Sequence, residues 1–253
     1  MRHGRVEVVL VAHNEEGTIA STIREFLAAA EVEVLVAEDG SSDRTRAVVA
    51  EIAAQTPGWV RLTPPSARKG YSRAVADAVA KTRQEVVVFC DGDGQYEPRD
   101  LPKLIEALER GVVVAGARSP RRDSRSRMLA SRAFGLVYRL LVPLRMNDPS
   151  SPFVAAFRSD LIGFVPAAPF LAQGFWWEFF ARADAAGLQI AEIPIGHRVR
   201  PVGTTQVYRL RCLPRIVAAH VVGLVKLRRE LRRARLAHDI PSAIVQASVV
   251  KPR

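Results

Sequence analysis

Asp91, Asp93 and Gln95 follow an apolar run at alternate positions, in the stretch Phe89-Cys90-Asp91-Gly92-Asp93-Gly94-Gln95-Tyr96-Glu97-Pro98. Two carboxylates and a carboxamide at this spacing offer hard oxygen donors, suited to Mg2+ or Mn2+ and unsuited to zinc. Without a cation the arrangement is costly, because neighbouring carboxylates at the end of a buried strand repel one another. Two more loops repeat the theme: His13-Asn14-Glu15-Glu16-Gly17 and Glu38-Asp39-Gly40-Ser41-Ser42-Asp43, each again behind an apolar run. A divalent ion shared by these loops removes the conflict and can act as a Lewis acid.

The elements that must position these acids are legible from periodicity. Apolar runs at Val6–Ala12, Val32–Ala37, Trp59–Leu62, Glu85–Cys90 and Val112–Ala117 read as strands. Between them Thr18–Ala30, Ser42–Gln55, Ser72–Lys81 and Leu101–Glu109 read as helices. Strands alternating with helices, and apolar along their whole length, predict an α/β fold with a mostly parallel, Rossmann-like sheet covered on both faces. In such sheets ligands bind beyond the carboxyl ends of the strands. The three acidic loops are therefore expected at one edge.

Four stretches in this order, Val11-Ala12-His13-Asn14-Glu15-Glu16-Gly17, Glu38-Asp39-Gly40-Ser41-Ser42-Asp43, Arg68-Lys69-Gly70-Tyr71 and Asp91-Gly92-Asp93-Gly94-Gln95, resemble the GT-A glycosyltransferases of family 2, in particular the dolichol-phosphate mannose synthase type. The segments Gly116-Ala117-Arg118, Asn147-Asp148-Pro149-Ser150-Ser151-Pro152-Phe153 and Ile193 to Gln206 extend the likeness, which runs from about Val6 to Val207. Four positions depart from the family pattern. Val11-Ala12-His13 replaces Pro-x-Tyr, Glu38-Asp39 replaces Asp-Asp, Pro152 stands for a glycine, and Thr205-Gln206 replaces Ser-Lys.

The resemblance implies a nucleoside diphosphate sugar as donor. It places Ala12, Asn14, Glu15, Asp39, Lys69 (or the adjacent Arg68) and Asp91 around the nucleotide. Asp91, Asp93 and Gln95 would hold Mg2+ or Mn2+ against the diphosphate, with Asp93 in a catalytic role. Asp148 would be a second catalytic residue, at the floor of the sugar pocket. Arg118, Arg127, Arg132 and Arg200 would meet the donor and acceptor phosphates, a task that suits the planar guanidinium. His13 and His197 lack metal partners in the sequence and read as structural or hydrogen-bonding residues. Trp176 and Trp177 read as core or as a platform for a sugar or lipid face.

A hydroxyl acceptor needs a general base, and the Gln-x-x-Arg-Trp motif of polysaccharide-forming relatives is missing. A phosphate acceptor is largely dianionic at neutral pH and needs arginines instead. The chain of 253 residues carries a net charge of +11, and ten arginines, one lysine and a single acid fall between Arg198 and Arg235. Five more arginines lie in Arg118–Arg127. The favoured reading is inverting transfer to a polyprenyl phosphate; the alternative is the same donor chemistry on a soluble hydroxyl acceptor. A sugar nucleotidyltransferase would want basic residues in the first loop, where acids stand. A nucleic-acid module would want aromatics interleaved with the basic clusters.

The domain is expected to occupy residues 1–207. Residues 208–253 would form an amphipathic, basic helical segment and tail, either packed on the domain or in peripheral contact with an anionic membrane. The best apolar run there, Ile216–Val225, is half of the roughly 20 residues a membrane span needs. No signal peptide is legible, and Cys90 and Cys212 suit a reducing compartment. The expected location is therefore cytoplasmic, at the inner face of the membrane.

Overall fold

The computed structural model describes residues 5–122, 125–142, 144–165, 169–171, 174–200 and 218–233. The chain runs β1 (Val6–Ala12), α1 (Ile19–Ala29), β2 (Val32–Glu38), α2 (Thr45–Gln55), β3 (Val60–Leu62), α3 (Tyr71–Val79) and β4 (Val86–Asp91). A 3-10 turn (Pro98–Asp100) then leads into α4 (Leu101–Glu106), β5 (Val112–Arg118), α5 (Arg125–Leu141), β6 (Val154–Phe157), α6 (Arg158–Phe164), α7 (Phe175–Ala185) and β7 (Gln189–Ile195). A further helix, α8, covers 218–233.

Seven strands form one sheet in the order β3-β2-β1-β4-β6-β5-β7. All pairings are parallel except those of β6, which runs antiparallel between β4 and β5. The mostly parallel sheet expected from the sequence is present, with β6 and β7 as elements the apolar runs did not announce. β6 is only four residues long and follows Pro152, too short for a periodicity to register. β7 is an edge strand, and Pro194 sits in it without interrupting an inner ladder.

Strand alternation divides the core in two. Val8 and Leu10 of β1 face one layer with Ile19, Ile23, Phe26, Leu101 and Leu104. Val9 and Val11 face the other, with Val75, Trp176, Phe179 and Phe180. Leu224, Leu227 and Leu231 of α8 are buried in this second layer, and Glu230 pairs with Arg182 of α7. Of the two placements expected for the basic segment, the leucine side of α8 is packed on the domain. The Val207 boundary, Thr205-Gln206, Cys212 and the tail after Arg233 lie outside the described residues.

Candidate active site

The register of the sheet brings the acidic loops together. Ala12 stands opposite Glu38 and Val11 opposite Asp91, so β1, β2 and β4 end at one edge. Backbone bonds weld the ends: the Asp39 N–H donates to the Ala12 carbonyl (3.0 Å) and the Gly92 N–H to that of Val11 (2.9 Å). A Cβ on Gly92 would press on the tip of the Ile19 side chain, 2.8 Å from its Cδ1, and on the Val11 carbonyl at 3.3 Å.

Asn14, at φ +56°, binds the first loop to the second. Its Oδ1 accepts the Ser42 N–H at 2.8 Å and its own N–H donates to Ser41 Oγ at 3.1 Å. Asp39 reaches the third segment: its two carboxylate oxygens accept the N–H groups of Lys69 (2.7 Å) and Gly70 (2.9 Å). Gly40 permits that approach, because any Cβ would sit 2.5 Å from the Arg68 nitrogen. The Lys69 ammonium pairs with Asp77. Asp39, Lys69 and Asp77 border a cavity of about 110 Å³ with Thr63, Pro64 and Ser66.

Asp91 accepts a hydrogen bond from the Tyr71 hydroxyl (2.9 Å), which in turn accepts one from Trp176 Nε1 (2.8 Å). Burial, with the Asp91 charge behind it, pushes the Tyr71 phenol well above its ordinary range, so it stays a donor. Sequence reasoning missed Tyr71. Its only signal was a hydroxyl-bearing aromatic directly after Lys69-Gly70. Trp176 and Trp177 are both buried in the core.

Asp93 turns Oδ1 to the Gln95 N–H (3.1 Å) and lies with Oδ2 3.7 Å from Arg200 Nη1. Arg200 also pairs with Glu15. Burial raises the Glu15 carboxyl above its ordinary value; Arg200 pulls it down and the Asp93 charge pushes it up again. Arg200 is carried by the segment after β7, which is fastened to the metal-type loop. Tyr96 and His197 form a β-bridge, and the Arg198 N–H donates to the Gln95 carbonyl at 2.7 Å. The Arg198 guanidinium spans Glu97 and Glu25, at 2.7 Å each. His13 and His197 serve as hydrogen-bonding residues, on the Asp39 carbonyl and the Arg122 N–H.

Arg118 and Asp148 are brought together, and away from solvent. Their side chains are 3% and 4% exposed, with Nε–Oδ2 at 2.6 Å and Nη2–Oδ1 at 2.7 Å. Arg118 Nη2 also reaches Ser150 Oγ at 2.7 Å, and Arg121 lies 3.5 Å from Asp148. Burial alone would raise the Asp148 carboxyl, but the hydrogen bonds and charge of Arg118 hold it below the usual carboxylate range. The pair locks the end of β5 to the 148–151 turn, so in this state Arg118 grips a protein carboxylate where a phosphate was expected. Arg132 is exposed on α5. Arg127 is also on α5, with its side chain outside the described residues.

The donor set suits a hard divalent ion. Among the described residues no three His, Cys, Asp or Glu side chains converge on one point. Asp91, Asp93 and Gln95 bring oxygen atoms of the type such an ion takes to this edge. The Arg200 guanidinium beside Asp93 and Glu15 shows that this edge already recruits a positive charge.

The family model described as glycosyl transferase family 2 matches residues 7–162. Glycosyltransferase AglD of Haloferax volcanii is 31% identical over 222 residues, covering 81% of this chain and 35% of that protein. The undecaprenyl-phosphate 4-deoxy-4-formamido-L-arabinose transferase of Edwardsiella ictaluri is 30% identical over 165 residues, covering 62% of this chain and 50% of the relative. The chain thus spans only a third to a half of these two proteins. Among solved structures, glucosyl-3-phosphoglycerate synthase from Mycobacterium tuberculosis, in complex with Mn2+, UDP and glucosyl-3-phosphoglycerate, superposes with a TM-score of 0.65. It is 26% identical, and the match covers 87% of this chain and 80% of that one. The architecture is that of the GT-A glycosyltransferases, as the motifs implied.

Proposed function

The chain belongs to glycosyl transferase family 2, and from that premise we propose that it moves a sugar, with inversion, from a nucleoside diphosphate sugar to a polyprenyl phosphate. The observation that carries the reading is the convergence of three acidic loops, that of β1 standing between those of β2 and β4, on one sheet edge where Arg200 supplies a balancing charge. The relatives named for undecaprenyl phosphate support the acceptor.

In this proposal Asn14, Glu15 and Asp39 shape the nucleotide pocket at the end of β1 and β2. Asp39 acts by fixing the Lys69-Gly70 amides, and Ala12 by forming the pocket floor. Asp91, Asp93 and Gln95 hold Mg2+ or Mn2+. When bound, that ion neutralises the charge gathering on the departing diphosphate. Tyr71 aims Asp91 through its hydroxyl. Arg200, now held between Glu15 and Asp93, would turn to the phosphate oxygens of the bound donor. Asp148 acts through Arg118, keeping the wall of the sugar pocket in place. Arg127 and Arg132 on α5 receive the acceptor phosphate. One phosphate oxygen bonds to the anomeric carbon as the bond to the diphosphate breaks on the opposite face. The acceptor is already ionised, so no general base is required.

Residues 1–207 form the transferase domain, and within the basic segment that follows α8 packs on that domain through Leu224, Leu227 and Leu231. We place the protein peripherally at the cytoplasmic face of a membrane; among the described residues no helix is long and apolar enough to cross one. A second reading, transfer to a soluble acceptor, is favoured by the likeness to glucosyl-3-phosphoglycerate synthase.

Thermal unfolding with UDP or GDP, with and without Mn2+, tests the donor chemistry. Saturating nucleotide at about 100 times its Kd stabilises by about 2.7 kcal/mol, or roughly 5–10 °C for a chain of this size. That shift is expected only with the metal. Equal shifts in EDTA would overturn the metal assignment, and no shift with either nucleotide would overturn the donor assignment.

A further inference from the structure

Two helices on the second core layer carry apolar side chains that the fold leaves in solvent. On α5, Leu136 is 65% and Leu140 73% exposed, with Val137 beside them. On α8, Val222 is 54% exposed, flanked by Val221 and Val225. The helices meet at Phe134 and His220, whose rings lie 5.2 Å apart. At 1.5 Å of rise per residue, all six residues lie within about 9 Å of that contact along their helix axes, most of them on faces turned away from it. The burying face of α8 is a different one, occupied by Leu224, Leu227 and Leu231.

The surroundings of this apolar surface are cationic. Arg132 and Arg139 are exposed on α5, whose sequence from Arg125 to Leu141 contains no acid. Lys226, Arg229, Arg232 and Arg233 are exposed on α8. The one acid of that helix, Glu230, is drawn to Arg182 of α7, and Arg182 in turn is held by the buried Glu178 at 2.7 Å. Exposed aliphatic groups ringed by cations match an anionic bilayer, whose headgroups attract the charges while the side chains enter the boundary beneath. They do not match a second copy of this chain, which would bring the same positive charges face to face.

We propose that α5 and α8 together form the surface that docks the protein on an anionic lipid bilayer, with Leu136, Leu140 and Val222 entering it. This deepens the polyprenyl-phosphate reading and rests on it for its purpose. α5 also carries Arg127 and Arg132, so the helix that enters the membrane surface is the one that would receive a phosphate lying at that surface.

The test is co-sedimentation of the full chain with vesicles of phosphatidylcholine, with and without phosphatidylglycerol, at low and high salt. Binding is expected only with the anionic lipid, and to weaken with salt as the screening length shortens. Leu136→Glu/Leu140→Glu and Val222→Glu are each expected to lower the partition at least tenfold, about 1.4 kcal/mol. The nucleotide-and-Mn2+ thermal shift of these variants should match wild type, because the replaced side chains already face solvent. Wild-type binding to anionic vesicles by both variants would overturn the proposal, as would no binding by the full chain. So would a concentration-dependent dimer that the same substitutions dissolve. The two readings fail separately: a chain that binds vesicles but no nucleotide refutes the transferase reading alone, and one that binds nucleotide but no vesicle refutes the docking surface alone.

Discussion

Replacing Asp148 with alanine should cost more stability than any other single change at the candidate site. The carboxylate is nearly sealed from water and grips Arg118 through two short bonds, 2.6 and 2.7 Å. Its removal takes both of these charge-assisted bonds from a buried guanidinium, which keeps Ser150 Oγ among its partners. Breaking one side of such a pair costs about 3–5 kcal/mol. At roughly 2–4 °C per kcal/mol for a domain of this size, the melting temperature should fall by about 6–20 °C. Replacing both members, Arg118→Met with Asp148→Leu, should recover most of the loss, since a well-packed apolar pair can equal a buried ion pair. The assay is thermal unfolding of wild type, both single variants and the double variant. Acid titration adds a sign. The folded Asp148 carboxyl titrates below its unfolded value, about 3.9, so its contribution is present above that pH and fades as pH falls through the lower, folded value. The gap between wild type and Asp148→Ala should therefore be constant from pH 5 to neutrality, and narrow only below about pH 4. A shift of less than about 2 °C at neutral pH, with activity lost, would refute the clamp and return Asp148 to direct contact with the sugar.

Asp93→Ala should lower transfer more than about 100-fold without lowering the melting temperature, because Arg200 keeps Glu15 as a partner; near-normal turnover with metal present would remove Asp93 from the metal shell. Tyr71→Phe should raise the Mn2+ concentration needed for half-maximal activity about 10-fold while kcat at saturating Mn2+ stays close to wild type. It should also cost about 1–3 kcal/mol, since Trp176 Nε1 is left buried without its acceptor; unchanged metal dependence would reduce Tyr71 to a structural residue. Leu227→Ala should cost about 2–5 kcal/mol, and a negligible change in thermal unfolding would mean that α8 is not docked as described.

How far the sequence could be read depends on how local each feature was. The strand ends that lead to Glu15, Asp39 and Asp91 follow the apolar runs Val8–Ala12, Val34–Ala37 and Val86–Cys90, so both the sheet edge and the convergence of the loops were legible. β6 was not, because Val154–Phe157 is four residues whose antiparallel course is set by its neighbours β4 and β5. Arg118 and Asp148 were each singled out, but for separate ligand roles. A separation of thirty positions hid their mutual pairing, and burial turned two candidate substrate contacts into a clamp. Tyr71 escaped notice because its partner Trp176 is 105 residues away. In α8 the basic charge was plain, but which apolar side faced inward was not. Leucines at 224, 227 and 231 and valines at 221, 222 and 225 are equally hydrophobic in one dimension, and only packing separates them.

Mass spectrometry of reaction products decides the central claim. The protein would be incubated with UDP- and GDP-sugars, Mg2+ or Mn2+, and either a polyprenyl phosphate or a soluble acceptor. The expected product is a glycosyl phosphate ester on the lipid, formed only with divalent metal and lost in Asp93→Ala. A product on the soluble acceptor alone, or lipid glycosylation undiminished in EDTA, would contradict it.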